Sequence, residues 1–208
     1  MKTKTIKIYS ASELSEDAQQ RAYENWLQTA EYGWGEENRQ TLEAFEKIFP
    51  IDVKNFDYSN RSDINWKFTE TDEIENLSGQ RLANYIWNNY KNQIFKGKYF
   101  STDFKKCKVD SQHPAGITYK KRYSRIMLEN SCVLTGYCID DDILKEVYNL
   151  LDQPNLFNNT TFKDLMETCL NNWLTACQND YEGCSTMEYF LDSAEANECE
   201  FDENGERI

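Results

Sequence analysis

Leu14, Ala18, Ala22, Trp26 and Leu27 recur at helical spacing near the start of the chain, and Glu16 and Asp17 stand where the positive end of a helix dipole favours carboxylates. The pattern predicts a helix over residues 15–30, preceded by a strand over 4–9 where charged and apolar positions alternate. A second helix is expected over 35–49, with Leu42, Phe45, Ile48 and Phe49 on its apolar face, and Pro50 disfavours helical geometry at the residue before it. Residues 51–58 and 63–68 read as strands, the second alternating Ile64, Trp66 and Phe68, with residues 59–62 as their hairpin loop. Ser78 can cap a third helix reaching about residue 95, lined by Leu82, Ala83, Ile86, Tyr90 and Ile94.

Residues 96–127 read as strand and loop, with a strand over 117–128 fed by a turn at His113, Pro114, Ala115 and Gly116. The last third predicts helices over 141–152, capped by Asp140, then over 161–180 and 186–197. In the second of these, Phe162, Leu165, Met166, Cys169, Leu170, Trp173, Leu174 and Cys177 form a wide apolar stripe suited to the centre of the fold. A short strand over 199–202 and a turn at Asn204 and Gly205 close the chain. Strands early and helices late predict an α+β fold, a mixed or antiparallel sheet covered by several helices, with the C-terminal third mainly helical. The 208 residues suit one globular domain, with two lobes at 1–128 and 129–208 as its internal division.

Charge is segregated along this framework. Residues 1–90 carry ten cations against sixteen carboxylates, 91–125 ten against two, and 126–208 three against eighteen, for block charges of −6, +8 and −15. Such separation creates faces of opposite sign that steer partners. An aromatic share of 14% sets the chain apart from disordered acidic polypeptides. The N-terminal residues lack a secretory apolar run and nowhere are 18 apolar residues consecutive, so a cytoplasmic protein without a membrane span is expected. Seven cysteines without Cys-x-x-Cys spacing fit reduced, mostly buried thiols.

Candidate chemistry is sparse. Cys107, His113, Cys132 and Cys138 are zinc-ligand types, but their spacing lacks the close pairs of a knuckle, and buried thiols with a turn histidine account for them as well. Asp140, Asp141 and Asp142 could hold a cation only if consecutive side chains converged, whereas capping and the helix dipole explain the same triplet. His113 is the only histidine, and there is no nucleophile elbow, phosphate loop or dinucleotide fingerprint. No cofactor is implied. Lys120, Lys121, Arg122 and Arg125, interleaved with Tyr119 and Tyr123, could hold single-stranded nucleic acid by charge and stacking. The net charge of −13 opposes that use and favours pairing with carboxylates of the same chain or of a second copy. The acidic last third could instead imitate a polynucleotide, whose duplex carries a charge every ~1.7 Å along its axis; ordinary solubility is the plain alternative.

Ile6, Lys7, Ile8 and Tyr9, followed by Glu13 to Gln19 and then Ala22, Glu24, Asn25 and Trp26, resemble the opening of small acidic proteins encoded by phages and prophages of Gram-positive bacteria. The run from Leu134 through Asp140, Asp141 and Asp142 to Ile143, and the ending from Asn197 through Phe201 to Gly205, are similar to the same group. Its members are often labelled antitoxin-like, and the resemblance implies a phage or mobile-element accessory gene. Such genes frequently encode inhibitors of host defences, of anti-CRISPR and antirestriction type among them. The expectation is a non-enzymatic inhibitor that binds a basic, nucleic-acid-acting bacterial protein through Asp140, Asp141, Asp142, Glu146, Glu188, Asp192 and Glu195. A nucleic-acid-binding accessory protein using the basic segment, and a metal-dependent hydrolase, are the alternatives.

Overall fold

The computed structural model describes residues 7–59, 61–95 and 132–208. Among them the fold is α+β, with helices α1 (Glu16–Thr29), α2 (Gly35–Glu46), α3 (Asp72–Glu75), α4 (Gly79–Ile94), α5 (Ile139–Asp152), α6 (Phe162–Gly183) and α7 (Met187–Ala196). Strands β1 (Ile51–Asp57) and β2 (Asp63–Phe68) form a two-stranded antiparallel sheet. The expected C-terminal helices are all present. The strand over 117–128, the turn at His113, most of the basic segment and residues 4–6 of the first strand lie outside the described residues.

The described residues divide into two compact units. Those within 1–36, 57–62 and 175–208 make the first unit, and those within 37–56 and 63–174 the second. The chain's two ends thus share a unit because they pair: Tyr9 and Phe201 exchange backbone hydrogen bonds of 2.9 Å in each direction. Phe201 also bridges Arg207, so residues 199–202 form isolated pairings in place of the expected strand.

In the first unit, Ser15 Oγ accepts the Ala18 N–H at 3.4 Å and opens α1, while Thr186 Oγ1 accepts the Tyr189 N–H at 3.2 Å and opens α7. These side chains satisfy N–H groups that the helix itself leaves without acceptors. The core joins Ala11, Leu14, Ala18 and Ala22 to Phe190, Ala194 and Phe201, with Tyr23 and Trp26 packed at its edge. Small residues on α1 admit close backbone approach. Gly205 uses that room in a left-handed conformation at φ +86°.

The second unit is built around Phe162 at the start of α6. Its ring lies 5.3 Å from Phe68, 5.8 Å from Tyr85 and 6.4 Å from both Phe49 and Tyr90, so the turn that joins α2 to β1 meets α6 together with β2 and α4 at one aromatic hub. Farther along α6, Trp173 is fully buried, meets Phe56 edge-on at 5.0 Å and donates its Nε1–H to the Asn38 carbonyl at 3.2 Å. That bond removes the cost of burying an unpaired indole N–H. Thr161 and Asp164 cap α6 reciprocally, with bonds of 2.9 and 3.1 Å. The expected α+β class is met, and α6 lies on both strands through Phe162 and Trp173.

Two helix starts differ from expectation. Ser78 makes no side-chain cap bond, and α4 begins instead on Gly79 at φ +51°. Asp140 does not cap α5 from outside but lies in its first turn, fully buried. The six described cysteines are free thiols, of which only Cys169 and Cys177 are buried, so the thiols are less enclosed than the composition suggested.

Candidate acidic and aromatic binding surface

Glu188, Asp192 and Glu195 occupy positions i, i+4 and i+7 of α7, and the turn geometry of a helix places these on one stripe. Phe190 and Ala194 bury the other side of the helix, which fixes the stripe toward solvent. All three carboxylates are exposed, and among the described residues their side chains have no hydrogen bond or ion pair. They sit in a unit whose described residues carry seventeen carboxylates and four cations.

Beside Tyr189 on the same helix opens a cleft of about 390 Å³. Trp26 and Leu27 come to it from α1, Tyr32, Gly33 and Trp34 from the connection to α2, Tyr181 from α6, and Tyr189 from α7. Trp34 is 51% exposed and Tyr189 44%. Tyr181 and Tyr32 meet edge to face at 5.4 Å, and Trp26 packs on Tyr189 at 6.2 Å, so the walls are braced ring on ring. The Tyr32 hydroxyl donates to Asp180 at 2.5 Å. Burial and then the Asp180 carboxylate push the Cys184 thiol up; the Tyr189 hydroxyl is raised by Cys184 first, with Asp180 adding to it. Glu31 also lines the cleft, and among the described residues no Lys or Arg does. Such a surface has aromatic anchors at its centre and carboxylates around them.

The other four predicted contact residues lie in the second unit, on α5, and do not act as a set. Asp140 accepts the backbone N–H groups of Leu134, Thr135 and Gly136 at 2.9, 2.7 and 3.0 Å, and the hydroxyls of Thr41 and Thr135 at 2.9 and 2.7 Å. With 0% exposure it presents nothing to a partner, so its assignment as a contact residue is corrected: it fastens the loop before α5. Asp141 accepts the Cys132 N–H at 2.9 Å, and Glu146 accepts from Asn149 at 3.1 Å. Asp142 is exposed; desolvation pushes its carboxyl up, opposed by Lys145 and reinforced by Asp141. The three adjacent aspartates diverge, as consecutive helical positions must.

Lys120, Lys121, Arg122 and Arg125, with Cys107 and His113, lie outside the described residues. Cys132 is half-buried and Cys138 exposed. Among the described residues no group of three or more His, Cys, Asp or Glu could hold a metal, and no helix is long and apolar enough to cross a membrane. Periodicity does not mark the cleft, because Trp26 and Leu27 also fit the apolar face of α1. A signal was present in Tyr32 and Trp34, two large aromatics in a short connection where polar residues are the norm. The chain matches no protein-family model, no curated protein and no solved structure.

Proposed function

We propose that this chain is a non-enzymatic binding protein that occupies the cationic surface of a nucleic-acid-acting protein. In particular, we take it for a phage-type inhibitor of a bacterial defence enzyme or toxin, working in the host cytoplasm. The observation that carries this reading is the α7 stripe of Glu188, Asp192 and Glu195, exposed and without partners among the described residues in a strongly acidic unit. Carboxylates left unneutralised on a rigid helix favour a basic partner at long range and repel polyanions. The adjacent rings supply the desolvated contact area that charge alone lacks.

The test is affinity capture from a bacterial lysate containing active defence systems, using the intact protein and the variant E188Q/D192N/E195Q at low and moderate salt. A basic nuclease or effector retained by the former, released by salt and missing from the latter supports the reading, provided that the chain also blocks that protein's binding to DNA or RNA. Equal recovery by both proteins, or recovery of nucleic acid alone, overturns it.

A further inference from the structure

The aromatic cleft beside α7 carries a narrower conclusion, which rests on the proposed function: we infer that it receives an arginine side chain projecting from the basic partner. Four features select that occupant. The walls present Trp26, Tyr32, Trp34, Tyr181 and Tyr189, whose ring faces attract a cation. Glu31 lines the cleft and makes no side-chain bond among the described residues, leaving a carboxylate for a guanidinium fork. The absence of Lys and Arg from the lining among the described residues, with the negative field of Asp180 reaching Cys184 and Tyr189, disfavours a phosphate or carboxylate ligand. The volume of about 390 Å³ admits a long side chain with room for part of its backbone.

Arginine suits the site better than lysine because a guanidinium is planar, stacks on aromatic faces and is more weakly hydrated than an ammonium. Trp34, half exposed and without a ring contact among the described residues, is the natural stacking face. The α7 stripe would draw the basic surface in, and the cleft would fix its register by taking one residue. This division of labour resembles that of many interfaces, in which exposed charge sets encounter and a buried anchor sets lifetime.

The test uses the full chain labelled with 5-fluorotryptophan, the five tryptophan resonances being assigned by single Trp→Phe variants. The probe is the peptide acetyl-Gly-Gly-Arg-Gly-Gly-amide, and its control carries citrulline, which keeps the shape and loses the charge. Saturable ¹⁹F shifts of Trp34 and Trp26 are expected with arginine, roughly ten-fold weaker with citrulline and weaker again in E31Q. Trp66, Trp87 and Trp173 should not move. Equal shifts with both peptides, or silence at Trp34 and Trp26, overturn the inference. So do concentration-dependent shifts of these two resonances without peptide, if sedimentation then shows a dimer, because a second copy would be the occupant. A captured partner that depends on the α7 carboxylates while Trp34 stays silent leaves the proposed function intact and removes only the arginine pocket. Arginine-dependent shifts in a protein that captures no basic partner leave the pocket and remove the function.

Discussion

The carbonyl oxygen of Ala18 lies 2.1 Å from where a side-chain carbon on Gly205 would stand. The C-terminal turn therefore rests directly on the backbone of α1, and only glycine permits it. Gly205→Ala meets two penalties, a left-handed conformation that costs an L-residue about 1–2 kcal/mol and a clash with backbone that cannot rotate away. Thermal denaturation should show a loss of at least ~2 kcal/mol. A variant as stable as the parent would mean that the turn does not sit against α1.

Asp140→Ala would leave three backbone N–H groups and two threonine hydroxyls without their acceptor. Partial rehydration of the loop limits the damage, and a loss of ~2–4 kcal/mol is expected by urea denaturation. Thr41→Val removes one donor and should cost about 1 kcal/mol. Asp142→Ala, at an exposed position of the same turn, should change stability by less than about 0.5 kcal/mol. Equal losses at 140 and 142 would contradict the assignment of these neighbours to different tasks.

The contrast between those aspartates marks where the sequence stops being legible. Local rules place the starts of α1 and α7 well, because Ser15 and Thr186 bond to N–H groups within their own first turns. The apolar stripe of α6 likewise announces its burial. Asp140 is different: its fate depends on Thr41, about a hundred positions earlier, and no periodicity reports such an encounter. Gly205 reads as a turn residue, but its need for glycine comes from Ala18 on another element. The cleft was obscured for a related reason, since Trp26 satisfies the helical pattern while keeping part of its ring at the surface.

Thiol chemistry offers a third check. Cys169 is fully buried, and desolvation raises its thiol far above the ordinary range, with Glu146 adding to the effect. The reactive thiolate is therefore suppressed there, whereas Cys138 is exposed. In the native protein a thiol reagent should modify Cys138 rapidly and spare Cys169 and Cys177 until denaturant is added. Peptide mapping after brief labelling checks the order, and early modification of Cys169 would contradict its burial on α6.

Acid should loosen the two turns that flank the Tyr9–Phe201 pairing. Asp202 is held below its ordinary value of 3.8 by the backbone N–H groups of Glu206 and Asn204, and Glu13 below 4.5 by the backbone and hydroxyl of Ser10. A carboxylate lowered by folding contributes stability that is present above its ordinary value and lost as pH falls through the lowered one. Amide resonances of Ser10, Asn204 and Glu206 should therefore shift and broaden as the pH drops from about 5 toward about 2. D202N should flatten the response at 204 and 206 while leaving that at Ser10, and E13Q the reverse. Responses unaffected by either variant would assign the transition to other carboxylates.

Neutralising the α7 stripe separates binding from folding. Glu188 and Asp192 stand at i,i+4, and Asp192 and Glu195 at i,i+3, so each pair of like charges costs the helix a few tenths of a kcal/mol, about 0.2–0.5. Glu188 lies in the first turn, where the helix dipole favours a carboxylate by a similar amount, so E188Q/D192N/E195Q should be about as stable as the parent, with any difference shrinking as salt screens the charges. If the stripe serves a basic partner, the same variant must lose that partner while keeping its stability, because the charges that attract across the interface are then not ones the fold depends on. A variant that loses both stability and binding would show that the carboxylates hold the helix in place; one that keeps both would show that they do neither. Loss of binding without loss of stability, measured on one preparation by thermal denaturation and capture, fits a helix whose exposed charge serves recognition and not the fold.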